Sequence, residues 1–143
     1  MALPKPELGL VLSYSYLWHR EYETGAEEGR KNRPCVIVVA TEIQADGTVT
    51  VEVAPITHSE PENQALALEI PPPIKRHLGL DDARSWIVLN ETNEFVWPGF
   101  DLRPIPGRSG RFDYGYLPPR LFEALTAKMR TLWGMGRGRR SSR

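Results

Sequence analysis

The sequence predicts a mainly β protein (β plus α), in which a small, strongly curved β-barrel or sheet carries one C-terminal α-helix. Three observations support this class: several short segments with strand patterns, turn residues between them, and one amphipathic helical pattern near the C-terminus. A chain of 143 residues has the length of a single domain. We place that domain at residues 1–133.

The clearest strand pair lies in the middle of the chain. Residues 35–39 form a β-branched apolar run, and residues 48–53 alternate polar and apolar side chains as a half-buried strand does. Between them lies Ala45-Asp46-Gly47, in which Asp tolerates and Gly favours the positive φ of a tight turn. The segment therefore predicts a β-hairpin.

The register of this hairpin decides which side chains share a face. A two-residue loop, Asp46-Gly47, would point Arg33 and Thr57 to opposite faces. A three-residue loop with Gly47 as a bulge would pair Cys35 with Thr57 and place Arg33 diagonal to Thr57, at about 7–8 Å. We expect this second register. It leaves four apolar side chains on one face: Ile37, Val39, Val51 and Val53.

Other segments of the chain also have recognisable patterns. Strand patterns cover residues 9–18, 65–70, 84–91 and 93–97. Residues 19–32 are charged and are interrupted by Gly25 and Gly29, so we expect a long exposed loop rather than a helix there. Residues 74–80 predict a helical turn that Gly79 closes.

The strongest helical pattern begins at Pro118 and ends at Gly134. Two prolines suit the first turn, where a missing N–H costs nothing, and glycine suits the end of a helix. Apolar residues recur at three- and four-residue intervals, which predicts one buried stripe. The next segment, residues 134–143, contains four arginines and predicts a basic, disordered tail.

The amino-acid composition limits the classes of function and the cellular compartment that we expect. Lys plus Arg and Asp plus Glu number 18 each, so the overall charge gives no argument for nucleic-acid binding, which would need a local patch. The single cysteine, Cys35, lies in an apolar run and cannot form an internal disulfide, as expected for a core thiol in a reducing cytoplasm. The sequence has neither a signal-peptide pattern nor a membrane-spanning apolar run. We expect a cytoplasmic protein.

Several kinds of site have no signature in the sequence. The three histidines are scattered, so no Cys/His cluster has the spacing of metal ligands. No glycine-rich phosphate loop follows a strand, and no serine nucleophile elbow occurs. We therefore expect chemistry that uses no metal and no cofactor.

Three short motifs occur in a distinctive order around the hairpin. They are Gly25-Ala26-Glu27-Glu28-Gly29, then Arg33-Pro34 before the apolar strand, then Pro55-Ile56-Thr57. This arrangement resembles the MazF/PemK/Kid family of type II toxin endoribonucleases, which carries G-x-E-x-x-G-x-R-P and later P-[IV]-T. The resemblance implies an SH3-like β-barrel and a homodimer. It also implies metal-independent cleavage of single-stranded RNA, and control by an antitoxin protein whose extended segment occupies the RNA groove.

The resemblance implies that Arg33 and Thr57 are the catalytic residues. Cleavage without metal uses the 2′-OH of the RNA as nucleophile and leaves a 2′,3′-cyclic phosphate. The guanidinium of Arg33 matches phosphate geometry and stays charged, and the hydroxyl of Thr57 can orient a phosphate oxygen or the 2′-OH. Further candidates for acid, base or RNA-binding roles are His58, Glu91, Glu27 and Asn90.

The sequence departs from the family pattern at three places, which leaves other functions open. One residue is added between Gly29 and Arg33, and Ala26 stands where some members have His. Where some members place Arg and Asp after an apolar strand, this chain has Leu89-Asn90-Glu91. A non-catalytic RNA- or protein-binding module of the same fold is the first alternative, and an unrelated barrel used for protein interaction is the second. Arg33 could also simply pair with Glu27 or Glu28.

Overall fold

A computed structural model describes residues 3–25, 29, 31–43 and 45–143. The described residues form eight β-strands, three α-helices and one short 3-10 helix. In chain order these are β1 (Leu10–Ser15), α1 (His19–Glu23), β2 (Asn32–Glu42), β3 (Val49–Thr57), the 3-10 helix (Gln64–Leu66), β4 (Ala67–Glu69), α2 (Pro72–Leu78), β5 (Trp86–Val88), β6 (Glu91–Val96), β7 (Asp113–Tyr116), α3 (Pro119–Gly134) and β8 (Arg139–Ser142). The predicted class, mainly β with α, is confirmed. None of the described helices is both long and apolar enough to cross a membrane.

The β2–β3 hairpin is the centre of the sheet. β1 pairs with β2, and β7 pairs with β1. β3 pairs with β6 along residues 50–53 and with β5 along residues 56–57, so the sheet divides into two branches at this strand. β4 extends one branch by pairing with β5, and β8 extends the other by pairing in parallel with β6. In the described part of the chain no ladder joins the outer strands β4 and β7, so the sheet is not closed into a barrel.

Both faces of the central strands are buried, because successive side chains of a strand point to opposite sides. All six residues of β1 are buried. One face packs with α2 and α3 and includes Val11, Val36, Ala54, Ile56, Leu78, Leu125, Met129 and Leu132. The other face forms a second cluster of Leu10, Leu12, Tyr14, Tyr16, Cys35, Ile37, Val51, Val53 and Phe95. Each valine, leucine, isoleucine, phenylalanine or methionine among them contributes about 1.5–3 kcal/mol by leaving water.

The predicted register of the hairpin was wrong. The turn is longer by one residue, with Glu42 opposite Val49, and a β-bulge follows between Ile37 and Val39. Beyond the bulge, Cys35 pairs with Pro55 instead of Thr57. The bulge inserts one unpaired residue, which changes the face to which the next side chain points. Val39 is consequently 39% exposed instead of sharing the buried face of Ile37.

The predicted loop over residues 19–32 begins with a helix. α1 covers His19–Glu23, and Glu21 Oε1 accepts a hydrogen bond from the backbone N–H of Trp18 at 3.2 Å. A carboxylate at the third position of a helix satisfies a backbone donor that the first turn leaves unpaired. The glycine at position 25 adopts a φ of +88° just after this helix.

The last residues do not form the expected disordered tail over 134–143. β8 pairs with β6, and Arg143 Nε donates to Asp101 Oδ2 at 2.8 Å. Arg140 Nε lies 3.0 Å from Glu52 Oε1. Asp101 and Glu52 are buried carboxylates, and a buried charge is strongly destabilising without a counter-ion. Two of the four arginines that predict a solvated tail, Arg140 and Arg143, therefore bind to the domain instead.

We expect Leu125→Ala to destabilise the protein by about 2–5 kcal/mol, because it leaves a cavity between α3 and the sheet. Leu125 is fully buried in the helix-facing cluster. The free energy of unfolding from urea denaturation measures the change. Lys128→Ala, on the exposed side of α3, is the control and should change it by less than about 0.5 kcal/mol. Equal effects of the two substitutions would contradict the packing of α3.

Candidate nucleic-acid interface

A cavity of about 500 Å³ lies where the start of β2 and the end of β3 meet the segments 79–85 and 105–114. Its lining includes Arg33, Thr57 and His58. Two more cavities, of about 610 and 340 Å³, adjoin it, because all three share Trp18 and Arg20. We call the three together the groove. Binding sites of this kind are concave and carry a few convergent polar groups.

The hairpin brings Arg33 and Thr57 to the same cavity. The register beyond the bulge pairs Cys35 with Pro55, and continuing it by two residues puts Arg33 opposite Thr57. Side chains directly opposite each other on an antiparallel pair point to the same face. The pairing differs from the expected diagonal, but the two side chains still line one cavity.

The Arg33 guanidinium is held over the ring of Trp18, with its Cζ 4.9 Å from the ring centroid. Its Nε is buried and makes no hydrogen bond to any described residue. Burial lowers the pKa of Arg33, an effect that the nearby carboxylate of Glu21 opposes, yet arginine stays charged at physiological pH. A cation that is positioned at the wall of a cavity is suited to bind an anion.

Gly29 fixes the segment that leads into β2. A Cβ at this position would come within 2.2 Å of the backbone oxygen of Tyr16, so only glycine fits against the end of β1. Ser15 Oγ donates to the backbone oxygen of Gly29 at 3.3 Å. The last glycine of the first motif, Gly29, therefore has a packing function close to Arg33.

Thr57 ends β3 at the edge of the groove. Its Oγ1 accepts a hydrogen bond from the backbone N–H of Ser59 at 3.1 Å. This bond orients the hydroxyl and leaves its proton to donate elsewhere. The side chain is half-buried, so a bound ligand can reach it.

His58 follows Thr57 and pairs with a residue that the sequence did not indicate. Its Nε2 lies 2.9 Å from Asp81 Oδ2. Asp81 in turn accepts a hydrogen bond from Lys75 Nζ at 2.8 Å. Burial would raise the pKa of Asp81, but the hydrogen bond from Lys75, the charge of His58 and the backbone N–H of Ala83 outweigh it and lower that pKa.

The remaining candidates lie in different places. Asn90 and Glu91 line the third cavity together with Thr57. Glu91 Oε1 accepts hydrogen bonds from Tyr16 Oη and from the backbone N–H of His19, both at 3.0 Å, so it holds the turn after β1 in place. Leu89 is fully buried. Glu27 lies outside the described residues, as do the departure at Ala26 and the pairing of Arg33 with Glu27 or Glu28.

The groove has an uneven distribution of charge. Four cations line the first cavity, and among the described residues Asp81 is the one carboxylate that accompanies them. These cations are Arg20, Lys31, Arg33 and Arg108. The third cavity is acidic instead, with Glu60, Glu62 and Glu91. A polyanion would therefore follow the first two cavities, where the local field attracts phosphate.

The sequence matches the family model for the PemK-like, MazF-like toxin of type II toxin-antitoxin systems over residues 17–95, more than half of the chain. The chain belongs to this family. Membership indicates a type II toxin, which implies an antitoxin protein as its partner. No curated protein and no solved structure matches the chain significantly.

The matched region contains the groove residues that the motifs indicated, but not all the groove. Arg33, Thr57, His58, Asn90 and Glu91 all lie within residues 17–95. Arg20 of α1 lies there too, as do Lys31 and Asp81 on loops, and none of the three belongs to a recognisable motif. Arg108 comes from a separate glycine-rich loop. The glycines of that loop were the one sequence feature that could have indicated a binding role for Arg108. Loops that carry charges next to glycines are common binding segments, but their position in space is not encoded locally.

We expect Cys35 to be unreactive towards a thiol reagent in the native protein and to react fully in denaturant. The thiol is completely buried, and burial raises the pKa of Cys35 well above its usual range, although Arg33 opposes this. The thiol therefore stays protonated across neutral and mildly alkaline pH, and the thiolate is the reactive form. Absorbance after addition of an aromatic disulfide measures the reaction. Rapid labelling of the native protein would contradict the burial of β2.

Proposed function

We propose that the protein is a toxin endoribonuclease that cleaves single-stranded RNA without a metal ion. The observation that carries this proposal is a half-buried arginine, Arg33, which is positioned over the ring of Trp18 and lines one cavity with Thr57. The cations around that cavity supply attraction for an RNA backbone. Membership of the toxin family supports the same activity.

In the proposed reaction the 2′-oxygen of a nucleotide attacks its own 3′-phosphate. The bond from phosphorus to the 5′-oxygen breaks, which gives a 2′,3′-cyclic phosphate and a free 5′-hydroxyl. Negative charge accumulates on the non-bridging phosphate oxygens in the transition state, and the planar guanidinium of Arg33 stabilises it. Thr57 donates its hydroxyl proton to one of these oxygens and so fixes the phosphate beside Arg33.

The partners follow from the same groove. The first two cavities bind the RNA backbone through Arg20, Lys31, Arg33 and Arg108. An extended segment of the antitoxin occupies this groove and blocks access of the RNA. The active toxin is a homodimer and acts in the cytoplasm, where its RNA substrate is found.

A non-catalytic function of the same groove has one specific observation in its favour. Glu91 is engaged by Tyr16 and His19, and Leu89 is buried. Some family members have two further catalytic groups at these positions. In this chain Leu89 and Glu91 stabilise the fold instead. In this second candidate function, the groove binds RNA or the antitoxin and leaves RNA intact.

We expect Arg33→Ala to lower the rate of RNA cleavage by about 10²–10³-fold, because it removes the cation at the transition state. Thr57→Val should lower it by about tenfold to 10²-fold through the loss of one hydrogen bond to a charged group. The assay incubates purified protein with a mixed single-stranded RNA in EDTA and maps the ends of the products. Arg76→Ala changes an exposed arginine of α2 outside the groove and is the matched control.

The product ends separate the two candidate functions. Cyclic phosphates that disappear with Arg33→Ala support the nuclease. RNA binding without cleavage by the unmodified protein would exclude the nuclease and leave the binding function. Cleavage that requires magnesium would contradict the proposed chemistry.

We expect Arg108→Gln to weaken RNA binding and to reduce the slope of log affinity against log salt by about 0.7, the value for one phosphate contact to a single strand. Fluorescence anisotropy of a labelled single-stranded RNA at several salt concentrations measures the slope. Arg111→Gln is the matched control, because Arg111 belongs to the same loop but does not line the cavity. An unchanged slope for Arg108→Gln would place the RNA elsewhere.

A further inference from the structure

We propose that His58 is the general base of this cleavage and that Asp81 is its positioning residue. The inference rests on the proposed function and deepens it. His58 immediately follows Thr57 and lines the same cavity as Arg33. The reaction needs a group that removes the proton of the 2′-OH, and neither Arg33 nor Thr57 can accept it at neutral pH.

The contact between His58 and Asp81 has the geometry of a catalytic dyad. His58 Nε2 lies 2.9 Å from Asp81 Oδ2 and 3.2 Å from Oδ1. A carboxylate at this distance keeps the proton on Nε2, which leaves Nδ1 as the ring nitrogen that can accept another proton. The His58 side chain is 57% exposed, so a substrate can reach the ring.

Asp81 is held in place by hydrogen bonds from groups that do not line the groove. Its Oδ1 accepts hydrogen bonds from Lys75 Nζ at 2.8 Å and from the backbone N–H of Ala83 at 3.1 Å. Lys75 Nζ also donates to the backbone oxygen of Ala83. The Lys75 side chain is only 6% exposed, and burying an ammonium group is costly unless it is paired. The carboxylate is therefore held before any substrate binds.

The His58 and Asp81 side chains are 57% and 55% exposed, but the additional bonds of Asp81 distinguish this pair from a simple surface ion pair. Two exposed charges that meet by chance contribute little and change their geometry freely. Here Asp81 accepts from a buried lysine, a backbone N–H and His58 at once. Preorganisation of this kind is what a catalytic base requires, since the base must be oriented before the reaction.

The proposed reaction transfers one proton to His58 and one proton to the leaving oxygen. The 2′-OH gives its proton to His58 Nδ1 as the 2′-oxygen bonds to phosphorus, and the 5′-oxygen leaves with the electron pair of the broken bond. The 5′-oxygen takes a proton from water, and His58 returns its proton to solvent, so no water is consumed. Asp81 stabilises the imidazolium while it exists and does not itself become protonated.

Charged and titratable groups from several elements line the same cavity as His58. These groups are Arg20 of α1, Lys31 and Arg33 at the start of β2, Asp81 of the segment after α2, Arg108 of the loop before β7, and Tyr114 of β7. A protonated ring cannot accept the proton of the 2′-OH, so we expect the rate to fall at acidic pH.

The test measures single-turnover cleavage of a labelled single-stranded RNA in EDTA as a function of pH. We expect His58→Gln to lower the rate by about 10²-fold or more and to remove the acidic limb of the profile. Asp81→Asn should lower the rate by about tenfold and also change the pH profile, which the loss of a merely structural residue would not do. His77→Gln and Asp82→Asn are the matched controls, since both residues are exposed and lie outside the cavity.

A second measurement does not depend on activity. Nitrogen NMR of imidazole-labelled protein should show His58 with its proton on Nε2, and Asp81→Asn should remove this preference. Circular dichroism of each variant verifies the fold. An unchanged rate and pH profile for His58→Gln, or a proton on Nδ1 in the unmodified protein, would overturn the dyad and leave the proposed nuclease intact. An unmodified protein that cleaves no RNA at any pH would overturn the nuclease and the dyad together.

Discussion

The pairing of β2 with β3 is the constraint on which the structure depends. β1 attaches to β2, and β5 and β6 attach to β3, so the hairpin register sets the position of most of the sheet. The turn and the bulge each shift the pairing by one residue from the expected register. Two shifts of one residue leave side-chain direction beyond the bulge unchanged, because that direction has a period of two. Arg33 and Thr57 consequently line one cavity although the pairing around them differs.

The distribution of charge explains how a chain with no net charge can present a cationic surface. Two buried carboxylates outside the first cavity pair with arginines of the last segment: Glu52 pairs with Arg140, and Asp101 pairs with Arg143. The cations of the first cavity face a single described carboxylate there, Asp81, which is bound to Lys75. A formal charge of zero thus conceals a local excess of positive charge.

Part of the candidate site could be predicted, because several of its residues belong to one hairpin. Arg33, Thr57 and His58 lie at the two ends of one hairpin, so a motif and a strand pattern suffice to bring them together. Asp81 and Arg108 come from loops 23 and 50 residues after His58. The tail was mispredicted for a related reason: composition suggests that a basic segment is solvated, but it does not reveal the buried carboxylates that bind it.

The sequence by itself determined the mainly β class, the central hairpin, the C-terminal helix and the toxin family, because periodicity and short motifs are local properties. Only the tertiary structure decided the bulge, the open sheet and the paired last strand. It also decided that Asp81 contacts both His58 and a buried lysine, and that arginines from separate segments line one groove. These features depend on contacts between residues far apart in the chain, and local patterns do not specify which loops will meet.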